Sequence, residues 1–227
     1  MIGHRQYASP NISSMESRPR PTLLYVMDPL CGWCYGFSPV VMKLQERYEA
    51  VMDFRVVPGG MVTGTRVEPV SEKADYILQA YKRVEEMTGV KFGDPYLDRL
   101  REGSTISASE PPCRALHLFF TLHPDKAVEY AHQLQRAIYL DGYDWNDGET
   151  YSHLARLFGL DAKDFMKQWE SEEARYAVQQ EFQWVQAAGI NGFPCVVVEK
   201  SEQYYLVSQG YRPLEDMEAV IEKVLGS

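Results

Sequence analysis

Two cysteines separated by two residues carry the strongest chemical signal in this sequence. Cys31 and Cys34 stand in the run Asp-Pro-Leu-Cys-Gly-Trp-Cys-Tyr-Gly-Phe, residues 28–37. An apolar run, residues 23–26, precedes them, and residues 38–50, whose apolar side chains recur at roughly helical spacing, follow them. The two thiols are therefore predicted to lie where a β-strand passes into an α-helix.

A thiol at the start of a helix is easier to ionise than an isolated one. Free backbone N–H groups and the positive end of the helix dipole both stabilise an anion there. Since the thiolate is the reactive form of cysteine, we expect Cys31 to be the more exposed and more nucleophilic of the two. Cys34, one helical turn later, is placed to attack a mixed disulfide formed on Cys31.

Redox chemistry is the preferred interpretation of this pair, and two alternatives stay open. Two thiolates at this spacing also form half of a structural zinc site. The remaining candidate ligands show no coherent spacing; they are Cys113, Cys195, His4, His117, His123, His132 and His153. The other alternative is a buried pair without chemistry. Because a strand-turn-helix context favours a redox pair, we expect no metal site.

The composition is that of an ordinary soluble globular protein with an acidic surface. The chain has 227 residues, is 45% hydrophobic and carries a net charge of -9. Nucleic acid and anionic membrane surfaces attract clustered Lys and Arg, so we expect neither as a partner. Residues 1–20 are predicted to form a flexible leader without the apolar core of a signal peptide, and no later segment is long enough to span a bilayer. Together with the low cysteine content, these features favour a cytoplasmic protein.

Three blocks of periodicity predict the domain organisation. Residues 21–68 are predicted to form strand, helix and strand in a parallel βαβ unit. Residues 69–188 have helical periodicity nearly throughout, with helices beginning near residues 71, 109, 127, 150, 162 and 172. Strand patterning returns only at Cys195, where residues 189–227 are predicted to form an antiparallel hairpin and a closing amphipathic helix. The predicted fold class is α/β, a βαβ unit and a ββα unit separated by a large all-helical insertion.

The CxxC pair, the helical insertion and the terminal ββα unit together resemble the thioredoxin fold as elaborated in the DsbA-like family. The run from Asp28 to Gly36 is most similar to the FrnE-type branch, whose members resemble 2-hydroxychromene-2-carboxylate isomerases in architecture. The resemblance covers the chain from about residue 21 onward. It implies a thioredoxin-like domain made of residues 21–68 and 189–227, interrupted by a helical domain of residues 69–188.

A second motif lies at the opposite end of the chain. Gly192-Phe193-Pro194 precedes the strand that opens the ββα unit. In thioredoxin-fold proteins a cis-proline lies here beside the CxxC, so the resemblance implies a cis bond at Pro194 and substrate contacts from Phe193 and Pro194. Phe193 is alternatively a packing residue. The dipeptide between the cysteines is Gly-Trp rather than Pro-His, and without that histidine we expect a less strongly oxidising pair.

Two residues next to the cysteines have two interpretations each. Trp33 either offers the substrate an apolar platform or packs on its own helix. Asp28 is either a buried carboxylate that carries the proton of Cys34, with its pKa raised toward neutrality by burial, or a turn residue that caps Leu30 or Cys31.

The two remaining cysteines are predicted to be structural. Cys195 follows Pro194 directly and could lie near the redox pair, but alternation along the strand also allows an inward-facing small hydrophobic residue. Cys113 opens a helix, where lone thiols usually take no part in chemistry.

The sequence and the resemblance together predict a thiol-disulfide oxidoreductase or isomerase that uses Cys31 and Cys34. The first alternative is a glutathione-dependent isomerase or transferase of the 2-hydroxychromene-2-carboxylate isomerase type, and the second is a non-catalytic binding protein on the same fold. We expect no tightly bound cofactor, glutathione as a redox partner, and thiol or disulfide substrates, either protein or small molecule. The sequence leaves the oligomeric state and the direction of the reaction open.

Overall fold

The centre of the molecule is a four-stranded mixed sheet, seen in a computed structural model that describes residues 20–226. Its strands are β1 (Thr22–Met27), β2 (Asp53–Pro58), β5 (Cys195–Lys200) and β6 (Gln203–Gln209). Two strands of two residues each, β3 (Glu68–Pro69) and β4 (Ile106–Ser107), form a separate sheet. The predicted leader, residues 1–20, lies outside the described part apart from Arg20, whose guanidinium lies 3.4 Å from the Asp53 carboxylate.

The order of the sheet is β2-β1-β5-β6. Strands β1 and β2 are parallel, whereas β5 pairs antiparallel with both β1 and β6. The predicted βαβ unit and the predicted hairpin are therefore confirmed. The hairpin turn places Ser201 and Glu202 at φ values of 51° and 62°, the left-handed backbone that a tight two-residue turn requires.

Helices surround the sheet and fill the interval between β2 and β5. They are α1 (Gly32–Tyr48), α2 (Ser71–Thr88), α3 (Asp94–Glu102), α4 (Glu110–Leu122), α5 (Ala127–Tyr139), α6 (Gly148–Leu157), α7 (Ala162–Trp169), α8 (Glu172–Ala187) and α9 (Leu214–Gly226). The helical insertion is confirmed. The predicted limits of the inserted domain are residue 69, the last residue of β3, and residue 188, the first residue after α8. The division into separate domains stays a prediction.

Two small elements depart from the predicted pattern. Helix α3 was not predicted, because only Tyr96, Leu97 and Leu100 are buried in a nine-residue segment that is otherwise mostly charged. The expectation that no strand occurs between the βαβ unit and Cys195 is also wrong, since β3 pairs with β4. Strands of two residues are too short to show alternation, so periodicity could not reveal them.

The alternating side chains of β1 divide the core into two layers. Leu23, Tyr25 and Met27 belong to the main core, which also contains the buried faces of α1 and α9. Leu24 and Val26 face the opposite side, where they pack with residues that include Val185 of α8. With both faces covered, β1 is buried almost throughout, as its continuous apolar run predicts.

The helical insertion is attached directly to the CxxC turn by aromatic packing. Tyr35 stacks on Tyr139 with ring centroids 5.0 Å apart, and Phe92 and Tyr96 contact the Tyr139 ring at 5.2 and 4.9 Å. We call these four residues the aromatic cluster. A Cβ atom on Gly36 would lie 2.8 Å from side-chain atoms of α2, so only glycine allows α2 to approach the first turn of α1 this closely.

Candidate active site

The two thiols lie where β1 passes into α1, and both are reduced in this structure. Cys31 is the N-cap residue of α1, with extended backbone angles (φ -93°, ψ 110°), and its side chain makes no capping hydrogen bond. Cys31 is 7% exposed and Cys34 is 0% exposed. The more N-terminal thiol is therefore the one that solvent or a substrate can reach.

A loop from the far end of the chain contacts Cys31. The peptide bond between Phe193 and Pro194 is cis, and the Sγ atom of Cys31 lies 3.6 Å from the carbonyl oxygen of Phe193. The Phe193 ring packs against Gly59 so closely that a Cβ atom there would lie 2.4 Å from the ring. The chain thus brings a backbone acceptor to the thiol from 162 residues away.

Asp28 is fully buried beneath the turn, and four donors surround its carboxylate. The Leu30 N–H and the Ser109 hydroxyl each donate to Oδ1 at 2.9 Å. The Met61 N–H donates to Oδ2 at 2.7 Å, and the Cys113 thiol lies 3.7 Å from the same atom. Burial raises the pKa of Asp28, while the donated hydrogen bonds act in the opposite direction. Asp28 therefore combines a buried carboxylate with a cap on the N–H of Leu30.

Burial makes the second thiol of the pair, Cys34, a weak acid. Burial raises its pKa well above the usual thiol range, and the hydrogen bond and charge of Cys31 and the charge of Asp28 act in the same direction. Cys34 is therefore a protonated thiol at neutral pH, and it must lose its proton before it can act as a nucleophile. The charge of the Asp28 carboxylate is the smallest of the influences that raise the pKa of Cys34.

The difference in exposure predicts selective alkylation. Iodoacetamide at neutral pH is expected to modify Cys31 at least ~10-fold faster than Cys34, because only a reachable thiolate reacts. Cys113 and Cys195 are also buried, so the native protein should acquire one label among its four cysteines. Peptide mapping by mass spectrometry measures this, and unfolding in guanidinium chloride, which should expose all four thiols, is the control. Equal rates at Cys31 and Cys34 would contradict the arrangement.

A cleft of 380 Å³ opens beside Cys31. Its walls come from the CxxC turn, from α2 and from the aromatic cluster. The side chains that line it include Cys31, Trp33, Tyr76, Tyr81, Tyr96 and Tyr139. Two cationic residues, Arg66 and Lys73, line it as well. The inserted helices thus form one wall of the cleft. They supply it with apolar surface and with the Lys73 ammonium group, which lies 2.7 Å from the Glu68 carboxylate.

The side chains singled out from the sequence lie in two groups. In the first group, Cys31 and Trp33 line the cleft, and the Phe193 carbonyl oxygen lies 3.6 Å from the Cys31 Sγ atom. Trp33 is half-buried, and its ring centroid lies 6.3 Å from that of Tyr211. Cys195 is buried in the second core layer, where it packs with Leu24, Val26, Val57 and Val185.

Two residues next to Asp28 escaped the sequence-based analysis. Cys113 was predicted to be inert, yet its thiol faces the Asp28 carboxylate, and burial followed by the charge of Asp28 raises its pKa well above the usual range. Ser109 donates to Asp28 and accepts a hydrogen bond from the Val62 N–H. The only available signal was the helix start at Ser109-Glu110-Pro111-Pro112, which says nothing about where the helix docks.

Residues 20–226 contain neither a metal-ligand cluster nor a membrane-spanning helix. Within that range, no group of three or more His, Cys, Asp and Glu side chains is arranged so that it could hold a metal ion. None of the helices in the described range is both long and apolar enough to cross a membrane.

The fold and the site together define a thioredoxin-fold protein with a CxxC pair at the start of α1 and a helical insertion beside it. Comparison with known proteins specifies the class further. The chain belongs to the family of DSBA-like thioredoxin domain proteins, whose family model matches residues 22–222. The resemblance inferred from the motifs is therefore confirmed.

Two bacterial proteins of known structure are similar over most of their length. One, from Nitrosomonas europaea and provisionally named a protein disulfide isomerase, is 30% identical, with a TM-score of 0.80 over 91% of this chain and 98% of that chain. The cytosolic disulfide reductase DsbM from Pseudomonas aeruginosa is 28% identical, with a TM-score of 0.76 over 90% and 98% of the two chains. A structure of DsbM with GSH is also similar, with a TM-score of 0.74 and 27% identity over 91% of this chain and 100% of that chain.

More distant relatives show the fold without indicating one activity. The ClpXP adapter protein SpxH of Halalkalibacterium halodurans is 20% identical over 93% of this chain and 70% of its own length. A 2-hydroxychromene-2-carboxylate isomerase structure is 15% identical, with a TM-score of 0.61 over 90% and 94% of the two chains. The architectural similarity to these isomerases is thus confirmed at the level of the fold.

Proposed function

We propose that the protein is a thiol-disulfide oxidoreductase in which Cys31 and Cys34 alternate between dithiol and disulfide. The observation that carries this proposal is the placement of both thiols at the start of α1, with Cys31 at the cleft and 3.6 Å from the Phe193 carbonyl oxygen. Its membership of the DSBA-like family, and its similarity to proteins named as a disulfide reductase and a disulfide isomerase, support the same class of reaction.

The proposed reaction has two displacement steps. The Cys31 thiolate attacks one sulfur of a substrate disulfide, so that a bond forms to Cys31 while the other substrate sulfur leaves and takes up a proton. Cys34 then loses its proton and attacks the Cys31 sulfur, which releases the second substrate thiol. The substrate gains two electrons and two protons, and the protein loses them and holds the Cys31–Cys34 bond. Oxidation of a substrate dithiol follows the same steps in reverse.

The neighbouring residues have defined roles in this scheme. Phe193 and Pro194 hold the substrate chain beside Cys31, and Trp33 offers it an apolar surface. Asp28, a buried carboxyl whose charge helps to raise the pKa of Cys34, is the proposed acceptor of the Cys34 proton during the second step.

Glutathione is the proposed source of electrons for the return to the dithiol. Two glutathione molecules would reduce the Cys31–Cys34 bond and leave as glutathione disulfide. Arg66 and Lys73 are the cationic side chains in the cleft lining that glutathione carboxylates would contact, and Lys73 would exchange its Glu68 partner for one of them. The similarity to a cytosolic reductase also observed with GSH supports this partner and supports a cytoplasmic location.

A binding function without turnover is the second candidate. The curated relatives named as ClpXP adapters favour it, at 20% and 22% identity over 70% and 52% of their own lengths. The isomerase alternative has support from the fold alone, at 15% identity. The three candidates differ in what they consume.

Steady-state turnover separates the oxidoreductase from the other two candidates. The protein is mixed with reduced glutathione and 2-hydroxyethyl disulfide, and the glutathione disulfide formed is measured against a reaction without protein. An oxidoreductase produces glutathione disulfide in proportion to the protein added. An adapter or a glutathione-dependent isomerase leaves the uncatalysed rate of glutathione disulfide formation unchanged, and that result would remove the proposal.

A further inference from the structure

The helical insertion supplies half of the donors that surround the Asp28 carboxylate. The backbone N–H groups of Leu30 and Met61 donate at 2.9 and 2.7 Å, and they belong to the CxxC turn and to the segment after β2. The Ser109 hydroxyl at 2.9 Å and the Cys113 thiol at 3.7 Å come from the start of α4. Each carboxylate oxygen therefore faces one backbone donor and one side chain of the insertion.

The two side-chain donors lie on one face of the first turn of α4. Ser109 and Cys113 are four residues apart, and the Cys113 N–H donates to the Ser109 carbonyl oxygen at 3.0 Å. Two of the residues between them, Pro111 and Pro112, have no backbone N–H. Side chains thus take the place of the backbone donors that a helix start usually offers.

The hydroxyl proton of Ser109 is directed at Asp28 by the contacts that Ser109 makes with Val62. The Ser109 oxygen accepts from the Val62 N–H at 2.9 Å, and the Ser109 N–H donates to the Val62 carbonyl oxygen at 2.9 Å. The O–H group is then left to donate to Oδ1 of Asp28. A donor fixed in this way favours the ionised form of the carboxyl group.

Burial gives these donors their importance. Asp28, Ser109 and Cys113 are all 0% exposed, so water cannot replace a donor that is lost. Burial raises the pKa of Asp28, and the hydrogen bonds lower it. The titratable side chains that interact electrostatically with Asp28 are Cys34 of α1, Cys113 of α4 and Tyr139 of α5. None of these three is a cation, so it is the hydrogen bonds that oppose burial.

We propose that Ser109 and Cys113 are positioning residues that keep Asp28 ionised near neutral pH, so that it can accept the Cys34 proton in the second step. This inference rests on the proposed oxidoreductase function and assigns to the helical insertion a part in setting the pH dependence of that step. Neither residue touches the reacting sulfur atoms in this scheme; both act through the carboxyl group.

Reaction with one equivalent of 5,5′-dithiobis(2-nitrobenzoate) separates the two steps. The Cys31 thiolate displaces one thionitrobenzoate and holds the other in a mixed disulfide. Cys34 then loses its proton through Asp28 to the buffer and displaces the second thionitrobenzoate. The protein dithiol is oxidised to the Cys31–Cys34 bond, and the reagent is reduced to two thiols. The second phase of the absorbance increase, measured at a series of pH values, gives the rate of the second step.

The expected result is a shift of the pH midpoint of the second phase. In the wild-type protein the rate should rise as Asp28 ionises and then level off. Ser109→Ala and Cys113→Ala should each raise the midpoint by about one pH unit, because a hydrogen bond to a charged group contributes about that much. Below the wild-type midpoint each variant should therefore be about tenfold slower, with the plateau and the first phase unchanged. Cys113→Ser keeps a donor and should shift the midpoint less than Cys113→Ala does.

Cys195→Ala is the matched control. It also removes a buried thiol, but from the second core layer, and it should keep the wild-type profile. The control is needed because Cys113 packs against Val178 and Phe182, so that its replacement also leaves a cavity. A cavity lowers the free energy of unfolding and does not by itself move the midpoint.

An unchanged midpoint in both alanine variants, or rates lowered by the same factor at every pH, would overturn the proposal. So would a pH dependence that persists in Asp28→Asn. If the wild-type protein released only one thionitrobenzoate, the oxidoreductase function itself would be wrong. The role of the two donors is then judged by NMR titration of the Asp28 carboxyl carbon. A higher pKa in Ser109→Ala and Cys113→Ala than in the wild-type protein supports that role, and equal values reject it.

Discussion

Replacing Cys31 by serine is expected to abolish disulfide exchange, and replacing Cys34 by serine is expected to stop it after the first step. Cys31 is the accessible thiol at the helix start, and a serine hydroxyl is not ionised there at neutral pH. We expect the rate with Cys31→Ser to fall by roughly three orders of magnitude or more. Cys34→Ser keeps the nucleophile but lacks the group that releases the substrate.

The two variants differ in what accumulates. Intact mass spectrometry after incubation with glutathione disulfide should show one glutathione on Cys34→Ser, mapped to residue 31, and none on Cys31→Ser. Cys195→Ser, which removes a buried thiol of the second core layer, is the control. An unchanged rate in Cys31→Ser, or glutathione mapped to another cysteine, would contradict the assigned roles.

Replacing Asp28 by asparagine is expected to slow the second step by roughly 10²-fold, which is the usual contribution of a general base. Cys34 is a protonated thiol because burial raises its pKa, and Asp28 is a buried carboxyl whose charge acts in the same direction. The first attack by Cys31 should change little. Stopped-flow measurement of mixed-disulfide formation and release separates the two steps, with Asp53→Asn, an exposed carboxylate on β2, as the control.

The same variant should change how stability depends on pH. Burial raises the pKa of Asp28, so the folded protein binds its proton more tightly than the unfolded chain does. The free energy of unfolding therefore falls as the pH rises from the ordinary Asp value of about 3.9 through the folded pKa. Asp28→Asn has no such group, so its stability should decline less over that window in chemical denaturation. An equal dependence of the unfolding free energy on pH in the two proteins would contradict the raised pKa of Asp28. An equal rate of the second step would remove Asp28 from the mechanism.

Much of the thioredoxin core could be predicted because its elements have clear periodicity. The continuous apolar run of β1 predicts a strand covered on both faces, and Leu24 and Val26 indeed pack against the layer opposite to Leu23. The cis bond at Pro194 was inferred only from the resemblance, because residue types alone do not distinguish the two isomers.

The surroundings of Asp28 could not be predicted because they depend on docking. Ser109 and Cys113 are 81 and 85 residues away along the chain, and they reach the carboxylate only because α4 packs beside the turn. The start of α4 was visible in the sequence, but periodicity gives the buried face of a helix and not its neighbour. The same limitation applies to Tyr139, which forms part of the cleft although its segment reads as an ordinary amphipathic helix.

The central claim is that Cys31 and Cys34 cycle between dithiol and disulfide, and a redox titration tests it most directly. The protein is equilibrated in buffers with varied ratios of glutathione to glutathione disulfide, quenched with acid, alkylated under denaturing conditions and mapped by mass spectrometry. The account predicts a reversible change from a form labelled at both residues to a form two hydrogens lighter with a Cys31–Cys34 bond. A pair that stays fully labelled at every ratio, or a bond that joins other cysteines, would contradict it.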